Sequence, residues 1–247
     1  MNTFPDKNGQ SSASSSALAL PIQYNQTRIV DVYLDTLREN RLVAFFEAAP
    51  AAEQYKILRT RVLHQMKEQG LNTILVTSPG HGEGKSLTAA NLAACLAMDV
   101  AHTALLVDAD LNTPCLHRLF GVSQDYGLAD CLISDMPMAR ILINPGISRL
   151  TLLPGNTGLP DSAEIIGSPK MTALINEIKH RYQDRFIIFD TPPVLEKADA
   201  LILSRQVDST ILVVEHGKTT KEQLKKATDL LKTTNLLGIV YNKNINQ

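Results

Sequence analysis

Short apolar runs alternate with helical stretches along most of this chain, and this alternation is the strongest constraint on its fold. The runs that we predict to be strands are Thr73–Thr77, Ala104–Val107, Leu150–Leu153, Phe186–Phe189, Thr210–Val214 and Leu237–Tyr241. The stretches between them that we predict to be helices are Lys85–Met98, Ser168–Tyr182 and Thr219–Lys232. Almost continuously apolar strands separated by helices are typical of a parallel sheet with helices on both faces. We therefore predict an α/β fold with three α/β/α layers around a mostly parallel sheet of about six to eight strands.

The residues before this alternation fall into two parts. The first part contains a serine-rich run and few branched or aromatic side chains, so it cannot bury enough apolar surface to offset its ordering entropy, and we predict a disordered tail. In the second part we predict a short helix over residues 29–46, capped by Asp31, and a longer helix from Pro50 to about Gln69. The predicted divisions are a tail (residues 1–27), an N-terminal helical segment (28–70) and a main domain (71–247).

The composition argues against some classes of protein. An apolar content of 44% is sufficient for a sizeable core, and a net charge of −1 gives no reason to expect a nucleic-acid partner. The sequence contains no apolar run of about 18 residues, the length that crosses a bilayer, and it does not begin with a secretory signal. We therefore expect a cytoplasmic protein with no nucleic-acid partner.

A glycine-rich loop, Ser78-Pro-Gly-His-Gly-Glu-Gly-Lys-Ser86, directly follows the first predicted strand and leads into a predicted helix. Glycines let the backbone fold tightly so that its N–H groups face phosphate oxygens, and the helix N-terminus adds positive charge. In such a P-loop the lysine reaches the β- and γ-phosphates, and the serine hydroxyl binds Mg²⁺. Pro79 stands where the usual pattern has its first glycine, and a glycine-rich turn without a ligand is the simpler alternative. The residues that we predict to bind the nucleotide here are Gly82, Glu83, Gly84, Lys85, Ser86 and Leu87.

Acidic residues end two further predicted strands. Asp108 and Asp110 follow the second strand after one βαβ unit, which should place that strand beside the first. Asp190 closes another apolar run, and the two prolines after Thr191 stop that strand. Because open α/β sheets bind ligands at this edge, we predict that Asp108 and Asp190 hold Mg²⁺ or its water. Asp110 would do likewise or accept a proton, and an aspartate that merely caps the next helix is the alternative for Asp108 and Asp110.

In this order the three motifs resemble those of the bacterial tyrosine kinases (BY-kinases) of exopolysaccharide and capsule synthesis. The resemblance extends over residues 50–245 and is nearest to kinases associated with chain-length-determinant membrane proteins. It implies a P-loop kinase domain over 71–247 with ATP and Mg²⁺ as cofactors. The implied activity is ATP-dependent autophosphorylation on tyrosine that regulates exopolysaccharide synthesis and chain length. The residues that it implies are Lys85, Asp108 and Asp110 for catalysis, Ser86, Asp108 and Asp190 for the metal, and Asn242 for adenine. An ordinary strand-end asparagine in a turn is the alternative for Asn242.

The same resemblance implies partners. Kinases of this type work with a membrane adaptor of the chain-length-determinant (polysaccharide co-polymerase) type, so we expect recruitment to the inner face of the cell membrane. The family's oligomerisation motif E-x-x-R-x-x-R reads Glu53-x-x-Lys56-x-x-Arg59 here. Lysine keeps the charge of arginine but loses its bidentate geometry. A homo-oligomer through these three residues is therefore expected beside the alternative of a solvated helix face.

Two departures from the family pattern leave other functions open. Asn112 replaces the arginine of the family's D-x-D-x-R motif. The usual C-terminal tyrosine cluster is reduced to Tyr241, which we expect to pack at the end of the last strand. The alternatives are a non-catalytic ATP-binding regulator of polysaccharide export and an ATPase switch of the related MinD/ParA type. In that second type an additional lysine crosses the dimer interface, and Gly80 occupies its position here.

Overall fold

The fold is seen in a computed structural model that describes residues 27–46, 49–156, 158–181 and 184–244. The predicted disordered tail, residues 1–27, lies outside the described residues except for Thr27. The described strands form one sheet, and β1 to β8 are Arg28–Ile29, Thr73–Thr77, Thr103–Asp108, Ile143–Asn144, Leu150–Leu153, Arg185–Asp190, Ser209–Glu215 and Leu236–Asn242. All six strands predicted from apolar runs are present, and the predicted α/β fold is confirmed.

The order of the strands in the sheet is β1-β4-β5-β3-β6-β2-β7-β8. Neighbouring strands pair in parallel except β4 and β5, which are antiparallel. The prediction that the second apolar strand lies beside the first is wrong, because β6 pairs with both β2 and β3 and separates them. The handedness rule sets the side on which a crossover helix packs, and it leaves room for a third strand between the two that the helix connects. In this register Asp108 and Asp190 are direct neighbours across β3 and β6.

Helices cover both faces of the sheet. The described α-helices, α1 to α9, are Leu34–Glu39, Pro50–Glu68, Lys85–Ala97, Leu116–Phe120, Leu128–Ser134, Ser162–Ile166, Pro169–Arg181, Asp199–Leu203 and Lys221–Leu230. The predicted helices of the main domain correspond to α3, α7 and α9, with ends that differ by no more than two residues. Among the described residues, no helix is both long and apolar enough to cross a membrane.

The core lies on both sides of the sheet because successive strand residues face opposite directions. Ile74 and Val76 of β2 are buried in one apolar cluster together with Leu92 of α3. Leu75, between them, is buried in the other cluster together with Ile175 of α7. This arrangement explains why the strands are apolar at every position and not at alternate ones.

The segment before the main domain departs from its predicted structure. The short helix predicted over residues 29–46 is wrong in extent: Arg28–Ile29 pairs with β4 at the sheet edge, α1 has six residues, and Val43–Phe45 forms a 3₁₀ turn. Asp31 does not cap α1, whose N-cap position is Tyr33 and has no side-chain capping bond. The long helix predicted from Pro50 is confirmed as α2. The division at residue 70 stays a prediction, although residues on both sides of it share one core cluster: Val32, Leu37, Leu42, Val62, Met66 and Ile74.

Candidate active site at the carboxyl edge of the sheet

The P-loop lies between the end of β2 and the start of α3, where its sequence has glycines. Gly82 and Gly84 have φ angles of +77° and +94°, which are rare for residues with a side chain. A Cβ atom on Gly84 would lie 2.1 Å from Nδ2 of Asn242, so a larger residue here would have to displace the Asn242 side chain. The first i−4 hydrogen bond of α3 runs from Thr88 N–H to the Gly84 carbonyl, at 2.9 Å. The N–H groups before it, on the helix N-terminus, are therefore available to an anion.

Lys85 is buried at the start of α3 and lies among carboxylates. Its Nζ is 3.1 Å from Oδ2 of Asp110 and 4.0 Å from Oδ1 of Asp190. Burial opposes the charged form, but the Asp190 and Asp110 carboxylates outweigh it and raise the pKa of the Lys85 ammonium. Lys85 is consequently a cation across the physiological pH range, and it lies where the phosphate-binding loop enters α3.

The two aspartates after β3 are held rigidly by the loop that follows them. Oδ2 of Asp108 accepts the backbone N–H groups of Cys115 and Leu116 at 2.8 and 2.9 Å. Oδ1 of Asp110 accepts the N–H of Thr113 at 3.0 Å, which leaves its other oxygen to Lys85. Oδ2 of Asp108 thus holds the start of α4, as the helix-capping alternative predicts for this residue. The other oxygen, Oδ1, is buried and has no hydrogen bond within the described part of the chain.

Asp190 is the most isolated carboxylate of the site. It is fully buried at the end of β6, and neither oxygen makes a hydrogen bond that satisfies normal geometry with a described residue. Burial raises the pKa of the Asp190 carboxyl to about 6, although the Lys85 ammonium opposes this rise. Burial and the neighbouring Asp190 carboxylate together raise the pKa of Asp108 to about 8. These two buried carboxyl groups are in register on adjacent strands, and the Lys85 ammonium, 4.0 Å from Asp190, compensates their charge only in part.

These oxygens fit a hard divalent cation such as Mg²⁺. The free atoms are both oxygens of Asp190 and Oδ1 of Asp108, and the Ser86 hydroxyl adjoins Lys85 Nζ at 3.2 Å. Within the described residues there is no group of three or more His, Cys, Asp or Glu side chains arranged to hold a metal ion. Mg²⁺ commonly binds through one or two carboxylates and completes its shell with water and substrate phosphates, so the arrangement suits this ion in the company of a nucleotide.

Three of the residues predicted to bind the nucleotide have side chains engaged elsewhere. The buried Glu83 carboxylate accepts the Gly80 N–H at 2.9 Å and the Thr219 hydroxyl, so it shapes the loop from inside. Leu87 packs against the core. Nδ2 of Asn242 donates to the Glu83 carbonyl at 2.9 Å. Glu83 and Leu87 therefore offer a ligand only their backbone N–H groups, and the adenine role of Asn242 stays a prediction.

Several residues that contact the P-loop were missed by the sequence reasoning. Lys218 and Lys243 donate to carbonyl groups of the loop, and Glu196 accepts the His81 N–H at 2.9 Å. The thiol of Cys115 adjoins the carboxylates, and burial raises its pKa to about 12, which keeps it protonated. None of these residues belongs to a local motif. The contacts of Lys218, Lys243 and Glu196 with the loop join distant parts of the chain. Of these residues, Lys243 could have been noticed in the sequence, because it directly follows Asn242.

Other residues singled out in the sequence lie away from the phosphate-binding loop. On α2, Lys56 pairs with Glu53 at 3.3 Å, and Nη1 of Arg59 donates to the Cys95 carbonyl near the end of α3 at 3.2 Å. Arg59 is therefore engaged within the chain, and the oligomer stays a prediction. The expectation that Tyr241 packs at the strand end is wrong: β8 is an edge strand, the side chain is 57% exposed, and its hydroxyl bonds to His216.

The chain is similar to known proteins in both sequence and fold. A family profile described as an AAA domain matches residues 71–246. The chain is 37% identical to tyrosine-protein kinase YwqD of Bacillus subtilis (strain 168). The 193 aligned residues cover 77% of this chain and 80% of that protein. It is similar to the solved structure of the chimerical protein CapA2B2, with a TM-score of 0.77 and 27% identity. The match covers 88% of this chain and 93% of that one. It is also similar to the kinase domain of Escherichia coli tyrosine kinase ETK, with a TM-score of 0.75 and 25% identity. That match covers 83% of this chain and 82% of the ETK domain.

Proposed function

The chain belongs to the family of bacterial tyrosine kinases, and from that membership we propose that its P-loop site transfers the γ-phosphoryl group of ATP to a tyrosine hydroxyl. The observation that carries the proposal is the placement of Lys85. A buried cation lies at the N-terminus of α3, between a backbone loop suited to phosphates and the carboxylates of Asp110, just after β3, and Asp190, at the end of β6. This combination of charges is suited to phosphoryl transfer, in which positioning and electrostatics provide most of the acceleration.

Binding of ATP rearranges the contacts of Lys85. The loop N–H groups from Gly82 to Leu87 take the phosphate oxygens, and the Lys85 ammonium turns from Asp110 towards the β- and γ-phosphates. A cation that leaves its carboxylate partner for a phosphate exchanges one charge-assisted hydrogen bond for another. It also releases Oδ2 of Asp110, which Lys85 holds at 3.1 Å.

Asp110 is then our first candidate for the group that accepts the proton of the tyrosine hydroxyl. The hydroxyl oxygen forms a bond to the γ-phosphorus, the bond from that phosphorus to the bridging oxygen breaks, and ADP leaves. Thr113 keeps the Asp110 carboxylate oriented through its other oxygen. Asp108 is the second candidate, because its Oδ1 accepts no hydrogen bond from the described part of the chain.

We propose that Mg²⁺ is held by the Ser86 hydroxyl and the Asp190 carboxylate, with Asp108 binding it directly or through water. The ion would neutralise charge on the β- and γ-phosphates during transfer. The chain supplies two buried carboxylates with oxygens that accept no hydrogen bond from the described residues, and burial strengthens their attraction to a cation.

We also propose that the kinase acts in exopolysaccharide synthesis at the inner face of the cell membrane, recruited by an adaptor of the chain-length-determinant type. The resemblance to adaptor-dependent kinases supports this. Fractionation of cells with and without the adaptor tests the recruitment, and an identical distribution in both would count against it.

The purified full-length chain, incubated with labelled ATP and Mg²⁺ and with the cytoplasmic segment of an adaptor, tests the proposed activity. Phosphotyrosine on any protein present, lost in Lys85→Met, is the expected result. Hydrolysis of ATP without phosphotyrosine would indicate a MinD/ParA-like switch, and ATP binding without turnover a non-catalytic regulator. Either of these outcomes would overturn the kinase assignment.

A further inference from the structure

Three consecutive carbonyl groups of the P-loop, those of residues 81 to 83, accept hydrogen bonds from side chains far away in the sequence. Nζ of Lys218, in the turn between β7 and α9, donates to the His81 carbonyl at 2.6 Å. Nζ of Lys243, directly after β8, donates to the Gly82 carbonyl at 2.8 Å. Nδ2 of Asn242, the last residue of β8, donates to the Glu83 carbonyl at 2.9 Å.

Because the peptide bond is planar, the direction of each of these carbonyl groups also fixes the direction of the N–H group that follows it. In a trans peptide the N–H of the next residue points away from the C=O of the residue before it. If the carbonyls of His81, Gly82 and Glu83 face the three donors, the N–H groups of the following residues face away from them. The positive φ angles at Gly82 and Gly84, +77° and +94°, are those of a backbone in which successive N–H groups converge on an anion.

The three donors are themselves anchored to the sheet. The Glu215 carboxylate, at the end of β7, pairs with Lys243 at 3.0 Å and with Lys218 at 3.5 Å. The Glu215 N–H donates to the Thr219 hydroxyl at 2.9 Å, and this hydroxyl donates to the carboxylate of Glu83. The turn after β7 and the end of β8 therefore hold both the backbone of the loop and its one buried acidic side chain.

We propose that Lys218, Asn242 and Lys243 form an external brace that positions the P-loop for phosphate binding. The proposal rests on the proposed function only in requiring that the loop binds a nucleotide. The brace residues touch the outer carbonyls and are positioning residues. By fixing three peptide groups before the ligand arrives, they remove part of the ordering cost of binding. Two lysines beside the loop also attract phosphate at longer range, and the test has to separate this attraction from positioning.

Isothermal titration of ADP with Mg²⁺ into the full-length protein measures the effect directly. The variants are Lys218→Met, Lys243→Met and their double. The matched control is Lys226→Met, on α9, whose ammonium pairs with Glu222 at 3.1 Å and does not contact the loop. Both brace lysines are about half exposed, so we expect the variants to fold, and the single variants give the result if the double variant does not. Lys243→Arg keeps the charge and the donor.

We expect affinity to fall about tenfold in the double variant, since two charge-assisted hydrogen bonds to the loop are lost. The control should match wild type, and Lys243→Arg should recover most of the affinity. The loss should persist at about 0.5 M salt, where long-range attraction is screened. Unchanged affinity, or a loss that vanishes at high salt, would overturn the brace alone. A wild-type protein that does not bind ADP would overturn the proposed function and the brace together.

Discussion

Lys85 shows how a single charged residue is stabilised inside this protein. Its ammonium is buried, and two carboxylates, those of Asp110 and Asp190, stand at 3.1 and 4.0 Å. The cation offsets part of the cost of burying Asp190, whose pKa burial raises to about 6. Removing one member of such a buried group leaves the others without compensation, which typically costs about 3–5 kcal/mol.

We expect Lys85→Met to abolish phosphoryl transfer and to lower the thermal stability more at pH 8 than at pH 5. A raised carboxyl pKa contributes stability that is present below the unfolded value of about 4 and is lost as the pH rises through the folded value. Without Lys85 the folded pKa of Asp190 rises further, so the loss grows above about pH 6. Calorimetric melting at both pH values checks this. The exposed substitution Lys226→Met is the control, and an equal loss at both pH values would refute the electrostatic explanation.

Binding of Mg²⁺ is expected to strengthen with pH, because the ion competes with protons for the same oxygens. Burial raises the pKa of Asp190 to about 6 and that of Asp108 to about 8. Below these values affinity should change by up to about tenfold per pH unit for each proton displaced. The measurement is the Mg²⁺-dependent rise in melting temperature, with saturating ADP, from pH 5.5 to 8.5. Asp190→Asn should bind Mg²⁺ more weakly and lose the lower step, and an unchanged curve in this variant would assign Asp190 a structural role.

At the scale of elements, the P-loop depends on the end of β8 as much as on β2 and α3, which flank it. Gly84 has a φ of +94°, and its missing Cβ is the space that the Asn242 amide occupies. The sequence predicted the glycines through the motif, but it gave no reason to pair residue 84 with residue 242. That contact depends on β8 lying beside β7 at the same edge of the sheet.

Gly84→Ala is expected to weaken nucleotide binding as well as stability, because the new methyl group displaces Asn242 and strains the loop. Gly70→Ala is the matched control: Gly70 also has a positive φ, +66°, but its Cβ would meet no atom within 4 Å. The control should lose only the backbone term, about 1–2 kcal/mol of unfolding free energy. Titration with ADP and chemical denaturation of both variants make the comparison. Equal affinity in the two variants would show that the contact with Asn242 has no part in binding.

Tyr241 is exposed, yet its backbone is paired with β7 along an edge strand. A tyrosine must reach the γ-phosphate of a bound ATP to be phosphorylated, and this residue would have to detach from β7 first. We therefore expect little phosphate on Tyr241, with the main acceptor on another protein or at Tyr24, outside the described residues. Mass spectrometry after incubation with ATP and Mg²⁺ decides the matter. Stoichiometric phosphate on Tyr241 would show that β8 opens readily.

At the scale of the whole molecule, the sequence predicted the long elements and missed the short ones. Strands such as β2 and β6 are continuous apolar runs, whereas β1 and β4 have two residues each and carry no periodic signal. Strand order was also beyond local reasoning, so the insertion of β6 between β2 and β3 appeared only in the structure. The acidic residues were found because they end predicted strands. Lys218 and Lys243 were missed because their contacts with the loop span more than a hundred residues.

The central claim is that the carboxyl edge of this sheet performs phosphoryl transfer with Asp110 as the first candidate for proton acceptor. The most direct measurement is a single-turnover assay of phosphate transfer from ATP to tyrosine, on wild type, Asp110→Asn and the control Asp125→Asn, whose carboxylate is 76% exposed. We expect Asp110→Asn to bind ATP but to transfer phosphate at least about 10²-fold more slowly, the usual contribution of general-base catalysis. The control should react at the wild-type rate. Transfer at an undiminished rate in Asp110→Asn would contradict this assignment.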